Sequence, residues 1–421
     1  MKRTLVLILA LNLLLLCACD GKKVPAYEAP STQAPSSTEP TEPVSISTDL
    51  SYVSAGEPML RLTRYYHYGE RCISAFGKLQ SYDPQLDKWQ DLCDKENCPH
   101  ADENCNAWLG LDVNGLYFAE KGNTLYCIYG TTNDYGNLTD LEFFTLDLAT
   151  WERRSYHKAT APKDGQIILC DGAVYGSKAV LSYDVIEELD TAYSQNKKEH
   201  FILVFDLESG DMTTLMENTL SMGELYDLWG MSDGHILLAF HHSNSEITSY
   251  GRAENAENYN DYTMRLHRWV ILEYPMEENA RWSNQVAEST AGYDLRLFSY
   301  DSFYGGALYY VLNDSVWRYD LQSHRNKMLF EQKGITGLSC FDGRIFFTTE
   351  NGEYCACNLS GGEPVQLPQE EGRIFFITEE NEDYFYGDRT VIGGTPAGTR
   401  YMIAKEDFYK GSIHSLAFLN P

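Results

Sequence analysis

Cys93, Cys98, His100 and Cys105 fall within 13 residues, in the order Cys-x4-Cys-x-His-x4-Cys. Three thiolates and an imidazole suit a tetrahedral zinc ion, whose borderline softness matches sulfur and nitrogen donors. Asp94, Asp102 and Glu103 stand near enough in sequence to assist. Four residues between Cys93 and Cys98 is a workable ligand spacing. The single residue between Cys98 and His100 is tight for two ligands, and the whole spacing matches no standard zinc module. The same residues also support a disulfide-tied loop, a bond that lasts in oxidising compartments, or a set of free thiols. Nine cysteines follow Cys19, an odd number, so at least one has no partner within the chain.

Other residues offer weaker chemistry. Cys355-Ala356-Cys357 reads as a strand, whose side chains at i and i+2 share a face. The pair therefore reads as small core residues at one sheet interface, with Cys340 near enough to pair with either. His241-His242 follows a strand and would need partners from other loops to hold a metal. The pairs Glu187-Glu188, Glu277-Glu278, Glu370-Glu371 and Glu379-Glu380 read as solvated turns. A glycosidase needs two acids facing across a cleft, which spacing along the chain does not give. The sequence contains no Gly-x-Ser-x-Gly, His-Glu-x-x-His or phosphate loop, so no catalytic residue is assigned.

The elements that must carry these residues repeat. Gly343-Arg344-Ile345-Phe346-Phe347-Thr348-Thr349-Glu350 recurs 29 residues later as Gly372-Arg373-Ile374-Phe375-Phe376-Ile377-Thr378-Glu379. Weaker copies of this turn-then-strand unit start at Tyr68-Gly69, Asn114-Gly115, Asp171-Gly172, Asp233-Gly234 and Gly305-Gly306. Glycine after Asp or Asn supplies a tight turn, and the apolar-aromatic run after it reads as a buried strand. A second unit ends a strand in an apolar residue and Asp, as at Tyr82-Asp83, Leu146-Asp147, Phe205-Asp206 and Tyr319-Asp320, where the Asp can cap the turn through its own backbone. Thirty tyrosines and 18 phenylalanines favour strands, and helical periodicity is absent except for a short candidate at Tyr183–Asn196. Repeats of several short antiparallel strands predict an all-β chain folded as a β-propeller. Seven starts predict seven blades, the uneven spacing leaving six or eight open; a β-sandwich array is the alternative. The insertion Ser243–Tyr262 reads as a loop on a blade face.

Ahead of these repeats, Lys2 and Arg3 precede an apolar run from Leu5 to Leu16, and Leu16-Cys17-Ala18-Cys19 follows. That order is the mark of a secretory signal, too short to span a bilayer. Residues 20–50 place Pro25, Pro30, Pro35, Pro40 and Pro43 among Ser and Thr, a composition that predicts a disordered tether with a reach on the order of 30 Å. The expected organisation is a signal over 1–18, a tether over 19–50, and a propeller over 51–421 with a Cys/His-rich insert at 93–105.

The cleavage region resembles the lipobox of bacterial lipoproteins, with Leu16, Ala18 and Cys19 at the matching places. The resemblance implies lipidation of Cys19 and a cell-membrane location facing the extracytoplasmic side. Tyr82-Asp83-Pro84 through Trp89 resembles the closing strands of Kelch-type blades, although the paired glycines of a full Kelch blade are mostly missing. The whole arrangement is similar to the propeller lipoproteins of Gram-positive anaerobes, which implies an exported binding or sensory module and a Cys/His segment that is a distinct element.

Loss of Lys2 and Arg3 with the signal takes the formal charge from −28 to −30. A surface that acidic repels nucleic acid and anionic lipid, so no nucleic-acid partner is expected, and the membrane is reached through the lipid anchor. The leading function is a non-catalytic binding module for a glycan, peptide or protein, with aromatic side chains suited to stacking on sugars. An envelope assembly scaffold is the alternative, and a propeller hydrolase the third. Opposed channel carboxylates would separate the hydrolase from the rest, and a large apolar patch outside the channel would mark the scaffold.

Overall fold

The computed structural model describes residues 59–419, except 65, 69–70, 103, 110–114, 133–137, 163–164, 187–196, 222–223, 233, 244–266, 290–294, 297–301, 368–372, 392–399 and 412–416. The signal, Cys19, the tether, the Ser243–Tyr262 insertion beyond Ser243, Glu187-Glu188 and Glu370-Glu371 lie outside the described residues.

The chain is a seven-bladed β-propeller built in sequence order. Blade 1 runs Tyr66–His67, Ile73–Ser74, Gln80–Asp83, Lys88–Asp91. Blade 2 runs Leu116–Lys121, Thr124–Tyr129, Asp140–Asp147, Arg153–Thr160. Blade 3 runs Gln166–Tyr175, Lys178–Ile186, Lys197–Asp206, Met212–Ser221. Blade 4 runs Leu225–Met231, His235–Ser243, His267–Pro275, Asn284–Ser289. Blade 5 runs Phe303–Tyr304, Ala307–Leu312, Ser315–Asp320, Arg325–Glu331, with Leu295–Arg296 also pairing on Ala307–Leu312. Blade 6 runs Ile335–Phe341, Arg344–Thr349, Tyr354–Asn358, Val365–Gln366. Blade 7 runs Arg373–Glu380, Tyr384–Val391, Arg400–Ala404, Ala417–Phe418, with the helix Lys405–Tyr409 inserted before its last strand. No helix among the described residues is long and apolar enough to cross a membrane.

Blade sheets have two faces to bury, and each seam between blades holds its own apolar cluster. Six seams bury 11 to 14 residues; the seam that closes the ring, blade 7 on blade 1, buries six among the described residues. Among the described residues no strand crosses that closing seam. It is held by side chains: Tyr68 stacks on Tyr386 at 4.8 Å between centroids, and the Cys72 thiol lies 2.9 Å from the Tyr386 hydroxyl.

The Asp units sit where their chemistry requires. Each ends the third strand of a blade and caps the following hairpin. Asp147 Oδ1 accepts the Ala149 and Thr150 amides at 2.8 and 2.7 Å, and Asp206 Oδ1 accepts those of Glu208 and Ser209 at 3.0 and 2.9 Å. Asp83 and Asp320 do the same for Gln85 and Ser323.

Three expectations are corrected. The near-duplicate sequences occupy different places: Arg344–Thr349 of one copy is the second strand of blade 6, whereas residues 373–379 of the other lie in the first strand of blade 7. Asp171-Gly172 lies inside the first strand of blade 3, just after a register shift at Cys170, and is not a turn. Tyr183–Ile186, expected to begin a helix, is strand.

The segment before blade 1 was expected only as the start of the propeller domain, with no element assigned to it. Leu60–Arg61 pairs on the inner strand of blade 3, Leu60 with Val174 and Arg61 with Ala173. Thr63 then exchanges two backbone hydrogen bonds with Phe118 of blade 2, at 3.0 and 2.9 Å. Two inner sheet edges are thereby covered.

Candidate functional site

The segment after the outer strand of blade 1 turns back on that blade before entering blade 2. The Leu79 amide donates to Ala107 O at 2.7 Å, and Lys78 and Trp108 form an isolated bridge. Cys105 and Ala107 are buried in the blade 1–blade 2 seam with Ile73, Leu79, Leu116 and Phe118, and Cys93 and Cys98 pack against them. The Asp102 carboxylate accepts the Asn104 amide at 2.9 Å, and Asp102 O accepts the Cys105 amide at 3.0 Å, forming a tight turn.

This fold-back brings the four expected residues together. One donor atom each from Cys93, Cys98, His100 and Cys105 lies within 4.8 Å of every other. Four ligands around one tetrahedral ion at ordinary Zn–S and Zn–N lengths would stand on the order of 3.5 Å apart. His100 Nδ1 is 3.4 Å from Cys105 Sγ. The tight Cys98-x-His100 spacing is met by the backbone: Asn97 and His100 are both left-handed, with φ of 60° and 53°, an uncommon conformation that reverses the chain within two residues. None of the nine described cysteines is in a disulfide.

The electrostatics favour a metal-binding thiolate. Burial would raise the Cys93 thiol, but the Lys95 and Asn106 amides and the Cys98 and Cys105 thiols outweigh it and bring Cys93 down to about 6. Burial, with the Cys98 and Cys93 thiols, pushes Cys105 up to about 11. One thiolate is therefore ready at neutral pH, and an incoming cation would take up the charge of the others. The cluster can hold a metal ion.

A second site lies in the channel, a cavity of about 310 Å³. Arg61, Arg400, Glu379, Glu380 and His67 line it with Tyr304 and Phe341. Arg61 pairs with Asp171 and reaches Leu228 O. Arg400 Nη1 donates to Thr378 Oγ1 at 2.7 Å and stands 3.5 Å from Asp388. The Glu379-Glu380 pair is corrected from solvated turn to the end of the inner strand of blade 7. Glu379 accepts the Tyr68 amide at 2.7 Å; Glu380 accepts the Asp342 amide at 2.8 Å and pairs with Lys405 at 2.7 Å. Burial raises Glu380 despite Lys405.

The other expected residues are dispersed. Cys340, Cys355 and Cys357 share the blade 5–blade 6 core, as small buried residues. His241 lies within the second strand of blade 4 and not after it, and Glu277-Glu278 is an exposed turn. Sequence reasoning missed a buried network in blade 3. There Asp184 holds Lys198 and His200, both at 2.6 Å, and these partners keep its carboxyl below the usual range against burial. Strand register alone joins them, since Asp184 and His200 are paired residues.

No family model matches the chain, and no curated protein matches it. Among solved structures, it is similar to the β-propeller domain of the Trilobed protease from Pyrococcus furiosus, described as having an open velcro topology, at 11% identity and TM-score 0.39 over 83% of this chain and 92% of that one. A Pyrococcus horikoshii acylaminoacyl peptidase matches at 9% identity and TM-score 0.45 over 86% of this chain, which spans about half (52%) of the peptidase. An oligogalacturonate lyase in complex with manganese matches at 14% identity and TM-score 0.39 over 76% of this chain and 83% of the lyase. These likenesses concern the fold alone.

Proposed function

We propose that this chain is an extracytoplasmic binding module, anchored to the membrane by lipid on Cys19, with its ligand site in the propeller channel and a zinc ion on Cys93, Cys98, His100 and Cys105 fixing blade 1. The observation that carries the binding role is the channel cavity. Charged groups of both signs, a histidine and three aromatic side chains (Phe303, Tyr304 and Phe341) line space that the protein leaves unfilled, the usual make-up of a ligand pocket. Its volume admits the end of a glycan or peptide and excludes a folded domain.

The hydrolase reading gains nothing from the channel. Glu379 and Glu380 are neighbours on one strand and not acids opposed across a cleft, and both already hold structural partners, the Tyr68 and Asp342 amides. The large exposed apolar side chains Phe76, Leu86, Ile168, Met212, Trp282 and Met328 belong to four different blades, which does not single out a scaffold surface. For the metal, the donor set and its convergence support zinc. For the anchor, the support is the Leu16-Cys17-Ala18-Cys19 motif behind its apolar run.

The test is binding of the purified protein to glycan and peptide arrays, with Arg400→Ala as the channel variant. Arrayed glycans or peptides that bind the wild type should lose at least about tenfold in affinity in the variant, roughly one charge-assisted hydrogen bond, with its melting temperature checked in parallel. Hits bound equally by both proteins would place the ligand elsewhere. The anchor is tested by feeding cells a clickable palmitate: wild type should be labelled and Cys19→Ala should not.

A further inference from the structure

A third chemical grouping lies at the blade 4–blade 5 seam, apart from both sites above. Its residues are far apart in sequence: His235 opens the second strand of blade 4, Glu273 is near the end of the third, and His324 is in the last hairpin of blade 5. Glu273 is fully buried, at 0% exposure. Its Oε2 accepts the Tyr319 hydroxyl and the Asn284 amide, the latter at 3.1 Å. Those two donors orient the carboxylate and turn Oε1 towards the two imidazoles.

Oε1 is 2.8 Å from His324 Nδ1 and 3.6 Å from His235 Nε2, and all three atoms lie within 4.8 Å of one another. Despite that closeness Oε1, itself buried, receives no hydrogen bond. A simple imidazolium–carboxylate pair would aim an N–H at the oxygen. A ring nitrogen beside an oxygen without pointing at it is the arrangement of two donors sharing one cation. Ligands about 2.1 Å from a metal and at right angles stand roughly 3 Å apart. Both histidines are on fixed hairpins. The Ser232 amide donates to His235 O at 2.8 Å, and the Asp320 carboxylate accepts the Ser323 amide at 2.8 Å while His324 takes a left-handed φ of 54°.

We propose that His235, Glu273 and His324 form an open binding site for an exchangeable divalent transition-metal ion. Two imidazoles and one carboxylate favour Zn²⁺, Co²⁺, Ni²⁺, Fe²⁺ or Mn²⁺ over Ca²⁺ and Mg²⁺, which prefer all-oxygen shells. Three protein donors leave coordination positions open. They face solvent, because the His324 side chain is 41% exposed. The Tyr319 hydroxyl and Asn284 are the outer-shell groups that hold the carboxylate. The site is independent of the cysteine cluster.

The test is Co²⁺ titration of the full-length protein in detergent, read by native mass spectrometry and by visible absorption. Cysteine-bound Co²⁺ gives intense thiolate charge-transfer bands, whereas Co²⁺ on nitrogen and oxygen does not. Wild type should bind one Co²⁺ that adds mass without thiolate bands, whatever the cysteine cluster does. His324→Ala, a change on a surface turn, should weaken that Co²⁺ at least about tenfold and leave the thiolate bands unchanged. Glu273→Gln should do the same. The proposal is overturned if no Co²⁺ binds without thiolate bands, or if His324→Ala leaves its affinity unchanged.

Discussion

His67 shows how one residue sets a property of the whole. It is buried in the first strand of blade 1, with Nε2 3.1 Å from Glu120 O. Burial lowers its pKa to about 4, only partly opposed by that carbonyl. The unfolded imidazole takes a proton near 6.5, so between 6.5 and 4 the unfolded chain binds the extra proton. Stability should therefore fall as pH falls through that window, by at most about 3 kcal/mol from this residue. Urea unfolding at pH 7 and pH 4.5 should show the loss, and His67→Gln should reduce it; an equal loss in the variant would assign the acid sensitivity elsewhere. Asp147 and Asp320 add to the loss lower down. The Thr150 and Ala149 amides hold Asp147 below the usual carboxylate range; for Asp320 burial is outweighed by Ser323 and Arg318. Their contribution is present above about 3.8 and is lost as pH drops through the lower folded values. The Asp caps were legible in sequence because an Asx turn is local. Glu379-Glu380 was misread because paired acids look alike in a turn or at a strand end, and only the fold decides which.

At the scale of elements, blade 1 is the weak sheet. Its first two strands are two residues each, against six in both corresponding strands of blade 2. Short strands gain few ladder hydrogen bonds, so the fold-back through Cys93–Trp108 supplies much of what fixes blade 1 to blade 2. If the proposed zinc is bound there, a chelator should lower the melting temperature and make the 93–108 segment the first site of proteolysis; a chelator without effect on either would contradict a structural metal at the cluster. Close packing at the seams gives a second expectation. A Cβ on Gly230 would overlap the Phe303 ring across the blade 4–blade 5 seam. Gly230→Ala should cost about 1–3 kcal/mol by overpacking, measured by chemical unfolding. The blade count was legible because each blade carries one glycine signal beside a buried apolar strand, even where, as at Asp171-Gly172, the signal lies inside the strand and not at a turn. The phase was not, because the first and second strands of a blade are both buried on both faces, so the same Gly-Arg-Ile-Phe-Phe sequence serves as either.

The propeller ring closes through the seam that, among the described residues, has the fewest buried side chains, blade 7 on blade 1. Tyr386, 1% exposed, carries it: its ring stacks on Tyr68, and its hydroxyl meets Cys72 and the Asn381 amide, the latter at 2.7 Å. Tyr386→Ala should cost about 3–5 kcal/mol and Tyr386→Phe only about 1; equal costs would mean that the hydroxyl, and not the ring, holds the closure. Neither this seam nor the strand Leu60–Arg61 in the channel was legible, since each joins residues more than a hundred positions apart through packing that leaves no periodic trace. The same holds for His235, Glu273 and His324. Whether the channel is where a ligand is held is tested most directly in intact cells, by placing a photo-crosslinking phenylalanine at Tyr304 in the cavity wall and, as control, at the exposed Trp282. A light-dependent adduct from position 304 that disappears with Arg400→Ala is the expected result. An adduct from position 282 alone, or one from 304 that Arg400→Ala leaves intact, would contradict it.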